Sequence, residues 1–343
     1  MKATFFKTPR MVVMGVTLIA AGLLAGCDVP PQESKQSGYR GTGAAQIENK
    51  AQAAAKREAN AIPEAQPAAD ASGDKASKAY QNVKVLGHLS EGQFLRVMTA
   101  MTEWIAPNEG CGYCHNLDNL ADDKMYTKVV ARKMIQMTQE INTNWTNHVG
   151  QTGVTCYTCH RGEPVPNGVW FSDKGPQTAG FAASPAGQNM AAPLIDRASL
   201  PRDPFTPLLL GKEEIRVGGD TALATGAAGA PIQRAEQTYS LMVHMSTGLG
   251  VNCTFCHNSR AFGSWEESTP QRATAWHGIR MARDLNNNFI VPLQATFPAN
   301  RLGPEGDVAK IGCTTCHQGV NKPLYGVSML KDYLAELGPV PKQ

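Results

Sequence analysis

The amino-acid sequence has few aromatic residues and almost no surplus of charge. Phe, Trp and Tyr together make up 7% of the 343 residues, and the formal net charge is only +3. That charge comes from the first 26 residues, which hold three cations and no acid, so the rest of the chain is neutral. We therefore expect no nucleic-acid partner, because binding to nucleic acid needs a basic surplus.

Two long stretches lack the residues that a folded site requires. Residues 28–80 contain almost no large apolar side chain, so they cannot bury enough surface to offset the entropy lost on ordering. Residues 163–232 are rich in Pro, Gly and Ala and contain neither Cys nor His. We predict a flexible tether over 27–82 and an irregular connecting segment over 163–232. The folded halves are then 83–162 and 233–343, the second ending in a short wrap.

The first 26 residues have the pattern of a secretion signal. A cationic start precedes an apolar run of 16 residues, Met11 to Gly26, which is short for a membrane-spanning helix. The run ends in Leu24-Ala25-Gly26-Cys27, which resembles a bacterial lipoprotein cleavage site and predicts that Cys27 is lipidated. The alternative is an uncleaved membrane anchor. Either one holds the remaining chain at a membrane, outside the cytoplasm.

Eight of the nine cysteines fall into four copies of one pattern, Cys-x-x-Cys-His, and the ninth is Cys27. The four copies are Cys111-Gly-Tyr-Cys114-His115, Cys156-Tyr-Thr-Cys159-His160, Cys253-Thr-Phe-Cys256-His257 and Cys313-Thr-Thr-Cys316-His317. We call them motifs 1 to 4 in chain order.

The spacing within each motif suits covalent attachment of a haem. Two thiols three positions apart can form thioethers with the two vinyl groups of one porphyrin, and the adjacent His can then ligate the iron. Zinc ribbons and dithiol redox sites also use Cys-x-x-Cys pairs, but neither needs a His after every pair. The sequence therefore predicts four covalently bound haems. Porphyrins are themselves large apolar groups, which agrees with the low aromatic content.

Three segments that precede the motifs share a second pattern, with apolar or small residues at offsets of 0, +4, +7 and +11. They are Phe94, Met98, Met101 and Ile105; Val130, Met134, Met137 and Ile141; and Thr238, Met242, Met245 and Leu249. These offsets place all four side chains on one face of an α-helix. Flexible methionines commonly pack cores, but three copies, each upstream of a motif, indicate one iron ligand per helix. The spacing does not choose between the two methionines.

A fourth helix is predicted over 270–286, with Thr269 as its N-cap and Pro270 in its first turn. Here the methionine pattern fails, because Met281 is followed at +3 by Asp284. The last haem therefore needs a ligand from elsewhere in the chain. His148 is a candidate, and His277 on the fourth helix is a rival. His88 and His244 are interpreted as ordinary surface or hydrogen-bonded residues.

From about Val83 to Pro339, the chain resembles the tetrahaem cytochrome subunit of the purple-bacterial photosynthetic reaction centre. The similar stretches are Ile141-Asn-Thr-Asn-Trp-Thr-Asn-His148, Gly153-Val-Thr-Cys-Tyr-Thr-Cys-His-Arg-Gly162, Asn252-Cys-Thr-Phe-Cys-His-Asn258, Ser268-Thr-Pro-Gln-Arg272 and Cys316-His-Gln-Gly-Val320.

The resemblance implies a mainly α fold with much irregular structure and few short strands. It has two pseudo-symmetric halves, each with two units of helix, turn and haem motif. It also implies three His/Met haems and one bis-His haem. The implied axial pairs are His115 with Met98, His160 with Met134, His257 with Met242, and His317 with His148. Met281 is then a packing residue.

The resemblance further implies a row of haems that leads away from the bacteriochlorophyll special pair. The His257 haem is nearest the pair, the His317 and His160 haems follow, and the His115 haem is outermost. The implied partners are the reaction-centre L and M subunits and a soluble donor, either a cytochrome c or a high-potential iron–sulfur protein. The chain would sit at the periplasmic face of the inner membrane, held there by its lipid anchor.

Two sets of charged residues are candidates for tuning and docking. Arg272 could pair with a propionate of the His257 haem, or it could be a solvated arginine at a helix start. Acidic residues around motif 1 could steer a basic donor protein, or they could form an ordinary solvated surface. They are Glu103, Glu109, Asp118, Asp122 and Asp123.

The preferred function is an electron-carrier subunit that re-reduces a photo-oxidised pigment. If both axial positions of every iron are closed, no iron is open to substrate, so we predict that the chain is not an enzyme. A multihaem oxidoreductase would need an open iron or a motif with Lys in place of His, and no such motif is present. The alternative is a membrane-tethered multihaem shuttle to another redox complex.

Overall fold

The computed structural model describes residues 30–36, 45–175, 192–217 and 231–339. Over these residues the chain is mainly helical, with long irregular connections and one small sheet. The strands are β1 (Gln32–Gln36) and β2 (Ala45–Asn49), which pair antiparallel with Gln32 opposite Asn49. The α-helices are α1 (Lys50–Ala59), α2 (Ala76–Ala79), α3 (Glu91–Ile105), α4 (Tyr126–Asn144), α5 (Thr146–Val149), α6 (Cys156–His160), α7 (Ile232–Leu249), α8 (Pro270–Leu285), α9 (Cys313–His317) and α10 (Leu334–Leu337).

Shorter helical turns join these elements. The 3₁₀ turns are Gly110–Tyr113, Pro193–Ile195, Cys253–Phe255, Val291–Thr296, Ala299–Arg301, Pro323–Gly326 and Leu330–Asp332, and the π turns are Thr206–Leu210 and Asn286–Ile290. The mainly helical class with few short strands, expected from the sequence, is confirmed over the described residues.

Helices α3, α4 and α7 each contain one of the three methionine segments, and α8 covers the predicted fourth helix. In α3 the Ser90 hydroxyl accepts from the Gln93 amide at 3.2 Å, and the Gln93 side chain accepts from the Ser90 amide at 3.1 Å. This capping box satisfies two amides that a helix start leaves without partners. Helix α8 starts at Pro270 after Thr269, as predicted. The Thr269 hydroxyl does not cap the helix, however, because it donates to the Phe255 carbonyl at 2.6 Å.

The apolar side chains gather into two cores. One core joins α3, α4 and the C-terminal wrap, with Trp104 stacked edge-on against Tyr333 at 4.7 Å. The other core joins α7, α8 and the segment 192–210, where Trp170 packs on Phe205 at 5.3 Å and Leu241 is fully buried. Cys156 of motif 2 belongs to the first core.

The predicted flexible tether over 27–82 differs from the structure in its described part. Residues 50–59 form α1, and the extended residues after α1 lie against the body of the protein. Arg96 donates to the carbonyls of Gln66 and Pro67 at 2.9 and 2.8 Å, and the Gln66 amide donates to the Tyr333 hydroxyl at 2.9 Å. The segment is fixed by backbone hydrogen bonds rather than by apolar burial, which explains why its composition did not reveal it.

The connecting segment over 163–232 is irregular in its described parts, as predicted. Trp170 pairs with Lys310 in an isolated antiparallel bridge, and Leu208 and Leu209 are fully buried in the second core. The C-terminal wrap ends in the short α10, where the Glu336 carboxylate pairs with Arg96 at 3.1 Å. Among the helices of the described ranges, none has the length and apolar character needed to cross a membrane.

Candidate haem-binding sites

Each motif forms one tight helical turn: Gly110–Tyr113 for motif 1, α6 for motif 2, Cys253–Phe255 for motif 3 and α9 for motif 4. In motifs 2 and 4 the residue after the histidine, Arg161 or Gln318, takes the left-handed conformation, with φ of 50° and 46°. That residue ends the turn and sends the chain away from the histidine ring. The tight turn keeps both cysteines and the histidine on one side of the backbone.

The four motif histidines share one hydrogen-bond arrangement. In each ring Nδ1 faces a backbone carbonyl: Leu120 O at 3.0 Å for His115, Glu163 O at 2.8 Å for His160, Phe262 O at 3.0 Å for His257 and Val320 O at 3.0 Å for His317. A carbonyl can only accept, so Nδ1 carries the proton and Nε2 keeps its lone pair. This is the tautomer that an iron ligand needs, with the ring orientation fixed by a second partner.

Burial favours the neutral form of three of these rings. It lowers the pKa of His160 and His257, and it lowers the pKa of His317 to about 4. For His317 the neighbouring His148 lowers the pKa further, since two cationic rings would repel each other. Neutral imidazoles with a free Nε2 are available as ligands at physiological pH.

Burial also keeps four of the motif thiols protonated. It raises the pKa of Cys114 and Cys256 to about 11 and the pKa of Cys156 and Cys313 to about 12. A thioether carries no charge, and a sulfur in that form is compatible with an apolar setting.

Motifs 2 and 4 meet back to back. The Cα atoms of Cys159 and Cys316 are 4.4 Å apart, and the structure pairs their sulfurs as a disulfide. Arg161 donates to the Cys316 carbonyl at 3.2 Å, and Gln318 donates to the Cys159 carbonyl at 2.9 Å. A sulfur can form either this disulfide or the thioether predicted from the sequence, so the two assignments exclude each other. The reciprocal hydrogen bonds hold the motifs together in either case.

A cavity of about 650 Å³ opens between the motifs. Cysteines of all four motifs line it: Cys114, Cys156, Cys159, Cys256, Cys313 and Cys316. The rings of His148, His160 and His317 also reach the cavity, and the remaining lining is mainly apolar. Protein interiors are packed as densely as organic crystals, so a space of this size suits large apolar groups. The donor set and the space therefore both fit haem.

His148 lies opposite His317. The two ring centroids are 6.0 Å apart, and the rings are inclined at 68°. Nδ1 of His148 faces the Thr274 carbonyl at 2.9 Å, so its Nε2 also keeps a lone pair. The rival His277 is on α8 and packs edge-on against Trp276 at 4.9 Å. The structure thus brings His148 rather than His277 to the fourth motif.

The methionines of the three repeated segments lie on α3, α4 and α7. Met134 and Met137 both line the cavity. Met101 and Met245 also line it, whereas Met98 and Met242 pack against the two cores and are not among the cavity residues. The cavity thus contacts both methionines on α4 but only the second one on α3 and α7, so it does not single out the predicted ligands Met98 and Met242. Met281 lines the cavity as well, on α8.

A model of the family described as the photosynthetic reaction centre cytochrome C subunit matches residues 28–337 of this chain. The chain belongs to this family. A photosynthetic reaction center cytochrome c subunit of Rubrivivax gelatinosus (strain NBRC 100245 / IL144) is 57% identical over 326 residues, covering 94% of this chain and 88% of that protein. The subunit of the same name from Thermochromatium tepidum is 50% identical over 324 residues, covering 94% of this chain and 80% of that protein. A third, from Roseobacter denitrificans (strain ATCC 33942 / OCh 114), is 43% identical over 345 residues, covering 94% and 90%.

Membership confirms the resemblance that the sequence motifs indicated. A cytochrome c subunit of the reaction centre carries haem c and takes part in photosynthetic electron transport. The predicted lipidation site, Cys27, lies outside the described residues.

Arg272 of this reaction-centre cytochrome lies beside motif 3, at the start of α8. Its guanidinium donates to the Ser264 carbonyl at 2.5 Å and to the Ser268 hydroxyl at 2.7 Å, and it stacks on the Trp265 ring at 4.1 Å. The cation also lies close enough to lower the pKa of the Cys256 thiol, against the larger effect of burial. Arg272 is therefore a positioned side chain rather than a freely solvated one.

The acidic residues around motif 1 carry less free charge than the sequence suggests. Asp123 pairs with Lys84, Lys128 and Arg132 at 2.9, 3.3 and 2.9 Å, which holds the pKa of Asp123 well below its usual range. Asp122 accepts from the Lys124 amide at 2.8 Å and pairs with the Lys124 ammonium at 3.3 Å. These carboxylates hold the chain after motif 1 against α4. Glu109 and Asp118 are better candidates for steering a partner.

Sequence reasoning missed two residues that the structure places at the sites. Arg161 donates to four neutral acceptors between motifs 2 and 4, and burial lowers its pKa to about 10, so it remains a cation. Its position directly after a motif was the available signal. Gly278 lies beneath the His148 ring. A glycine in the middle of a predicted helix was the signal there.

Proposed function

We propose that this chain is an electron-transfer tetrahaem cytochrome that re-reduces the photo-oxidised bacteriochlorophyll special pair of the reaction centre. The observation that carries this proposal is the family match over residues 28–337, which spans all four motifs. Haem supplies one-electron redox chemistry when bound. The chain's own residues attach it, ligate its iron, exclude water and set its potential.

The proposed cofactor set is four haem c groups. Their thioether sulfurs are those of Cys111, Cys114, Cys156, Cys159, Cys253, Cys256, Cys313 and Cys316. Their axial pairs are His115 with Met98, His160 with Met134, His257 with Met242, and His317 with His148. The carbonyl partners of Nδ1 and the buried, neutral rings support the histidine assignments. With both axial positions closed, the protein is an electron carrier and not an enzyme.

Local contacts support a division into two related halves. His115 and His257 each face the carbonyl five residues further on, and His160 and His317 each face the carbonyl three residues further on. Two threonine hydroxyls donate to the residue two before a motif histidine: Thr127 to Tyr113, and Thr269 to Phe255. The Gly162 amide donates to Trp104 of α3 at 2.9 Å, and the Gly319 amide donates to Gly248 of α7 at 2.8 Å. Each half thus repeats the same four contacts.

The packing supports the proposed order of haems. The helix before motif 3, α7, touches α9 of motif 4, as the Gly319–Gly248 hydrogen bond shows. Motif 4 meets motif 2 through Arg161 and Gln318. Motif 2 meets α3, the helix before motif 1, through Gly162 and Trp104. The neighbours therefore run 3, 4, 2, 1, which fits a row with the His257 haem nearest the special pair and the His115 haem outermost.

The sixth ligand of each haem is expected to set whether its midpoint potential is high or low. Met raises the potential of a haem relative to a second His. The His317 haem, with His148 as its sixth ligand, is then a low-potential step between haems of higher potential. The proposed partners are the L and M subunits at the His257 end and a soluble cytochrome c or high-potential iron–sulfur protein at the His115 end. We also propose that Cys27 is lipidated and holds the chain at the periplasmic face of the inner membrane.

Flash spectroscopy of isolated membranes tests the function. A flash should oxidise the special pair, and haem oxidation should follow as the pair is re-reduced. In the Met242→His variant we expect a lower potential for the haem nearest the pair and slower re-reduction. Membranes in which no haem responds to light would leave the shuttle to another complex as the function. An unchanged redox titration of the variant would point to Met245 as the ligand.

Mass spectrometry and carbon monoxide binding test the number of haems and the ligation of their irons. The intact mass of the purified chain should contain four haems, and the reduced protein should bind no carbon monoxide. A mass with fewer haems and a disulfide between Cys159 and Cys316 would overturn the cofactor assignment.

A further inference from the structure

Helix α8 has a glycine where the helix faces His148. Glycine inside a helix is less favourable than alanine by about 1 kcal/mol, so its presence calls for a steric reason. A Cβ atom placed on Gly278 would lie 2.5 Å from Cε1 and 2.9 Å from Nδ1 of His148. Real Cβ contacts are not this short, so any side chain at residue 278 would displace the imidazole. The ring therefore occupies the space that the missing side chain leaves.

The same glycine exposes a hydrogen-bond acceptor. In a regular α-helix the Gly278 amide donates to the Thr274 carbonyl, four residues earlier. His148 Nδ1 lies 2.9 Å from that carbonyl and uses its second lone pair. A side chain at residue 278 would cover this approach. Gly278 and Thr274 together hold the ring in one tautomer, with Nε2 directed toward His317.

A second contact holds the helix that carries His148. Helix α5 has four residues, and a helix this short is not stable by itself. Trp145, directly before it, donates from Nε1 to Oδ2 of Asp284 on α8 at 3.0 Å. Oδ1 of Asp284 accepts from Asn288 at 2.5 Å, so the carboxylate is held from both sides. Helix α5 is thus attached to α8 at both ends.

We propose that α8 is a seat for the sixth ligand of the fourth haem. Gly278 and Thr274 orient the His148 ring, and Asp284 fixes α5 through Trp145. These are positioning residues, and the proposal rests on the assignment of His148 as a ligand under the proposed function. His148 belongs to the first half of the chain, whereas α8 and motif 4 belong to the second. Ligation of the fourth haem therefore depends on the two halves being docked.

The first test is Gly278→Ala in the full-length, haem-loaded protein. We expect the His148 ring to be displaced, so the bis-His signal is lost from the ferric spectrum. The reduced variant should then bind one carbon monoxide per chain, against none for the parent. The matched control is Gly92→Ala in α3, where a Cβ would meet Ala69 Cβ at 3.5 Å and the Asp70 carbonyl at 3.7 Å, both ordinary contact distances. The control should keep the parent spectrum and bind no carbon monoxide.

Two further variants keep the proposal testable if Gly278→Ala does not fold. Asp284→Ala removes the acceptor for Trp145, whereas Asp284→Asn keeps an oxygen there. We expect carbon monoxide access in the first and parental behaviour in the second. In His148→Gly, added imidazole should restore the bis-His spectrum. Adding Gly278→Ala to that variant should weaken imidazole binding roughly tenfold to a hundredfold, as loss of an outer partner does at metal sites.

The outcomes separate this proposal from the one on which it rests. If His148→Gly leaves the bis-His signal unchanged, His148 is not the ligand and the axial assignment fails. If His148→Gly loses that signal but both Gly278→Ala and Asp284→Ala keep it, the ligand assignment stands and the seat on α8 is overturned. If loss of the signal follows Gly278→Ala and Asp284→Ala but not Gly92→Ala, the seat is supported.

Discussion

At the scale of single residues, a hydroxyl follows each predicted methionine ligand by four positions: Thr102, Thr138 and Ser246. The Thr102 hydroxyl donates to the Met98 carbonyl at 3.0 Å and lies 4.0 Å from the Cys111 sulfur. The Thr138 hydroxyl likewise donates to the Met134 carbonyl at 3.0 Å, and it also bonds to Cys156. In both α3 and α4, therefore, one threonine hydroxyl bonds to the carbonyl of the predicted methionine ligand. The same hydroxyl also contacts the first cysteine of a motif.

Replacing Thr102 with valine should lower the midpoint potential of the haem at His115. The variant keeps the shape of the side chain but loses the hydroxyl dipole that lies 4.0 Å from the Cys111 sulfur. A full hydrogen bond contributes about 0.5–1.5 kcal/mol, roughly 20–60 mV for one electron, so the shift should not exceed this range. A spectroelectrochemical titration measures the shift. Thr99→Val is the control, because Thr99 makes the same bond to the Leu95 carbonyl at 3.0 Å on an exposed face. Equal shifts in both variants would contradict the prediction.

Arg161 is predicted to raise the potentials of two haems at once. It is a buried cation between motifs 2 and 4, and its hydrogen-bond acceptors are all neutral. A nearby positive charge favours the reduced haem. Arg161→Gln should therefore lower the potentials of the His160 and His317 haems together, by about 1 kcal/mol or ~40 mV each. Arg161→Lys should keep both values. Gln318 already makes the equivalent bond on the other side, so glutamine fits the position. A shift in one haem only would argue against this role.

At the scale of elements, close backbone contact decides how α7 meets α9. A Cβ on Gly248 would lie 2.7 Å from the Thr314 hydroxyl, and a Cβ on Gly250 would lie 2.0 Å from the Gly319 carbonyl. Gly250 also has a positive φ of 62°, at the C-terminal end of α7. The helix therefore stops and turns where motif 4 approaches. Periodicity alone predicted α7, but nothing local in the sequence identifies which surface covers its last turn.

Gly250→Ala should destabilise the protein by clearly more than backbone strain alone. Gly250 takes the left-handed conformation, with φ of 62° and ψ of 39°, where alanine costs about 1–2 kcal/mol. The neighbouring backbone must also move, because a Cβ at residue 250 would lie 2.0 Å from the Gly319 carbonyl. We expect a loss of unfolding free energy well above that strain, measured by chemical denaturation of the haem-loaded protein. A loss of only about 1–2 kcal/mol would show that the contact with Gly319 is not tight.

Elements that lack a hydrophobic pattern escaped prediction. The residues after α1 were assigned to a flexible tether because they bury little apolar surface. Their order comes instead from Arg96, which donates to Gln66 and Pro67 while stacking on Tyr333 at 4.0 Å. Such contacts join residues that are distant in sequence. Composition reports how much surface a segment can bury, but it does not report which acceptors its backbone offers to another element.

At the scale of the whole molecule, the cavity makes the fold dependent on its cofactors. The lining of this cavity is mainly apolar, and cysteines of all four motifs line it. Without haem this apolar surface would be open to water, which is unfavourable in proportion to its area.

The chain produced without haem attachment should therefore not hold this structure. We expect the apoprotein to lose near-ultraviolet circular dichroism and fixed side-chain packing, as in a molten globule. The haem-loaded chain, handled identically, is the control. A cooperative thermal transition in the apoprotein close to that of the loaded chain would contradict this expectation. In that case side chains must collapse into the cavity without cost.

The sequence by itself determined the chemistry that is local along the chain. Two cysteines and a histidine within five residues specify one attachment site, and the helical spacing of the methionines needs no distant partner. The tertiary structure decided what depends on approach between distant segments. It placed His148 opposite His317, left room for it at Gly278, set Arg161 between two motifs and fixed the neighbours as 3, 4, 2, 1. The reason is physical: covalent spacing and helix period are properties of the backbone, whereas these contacts exist only after the two cores pack.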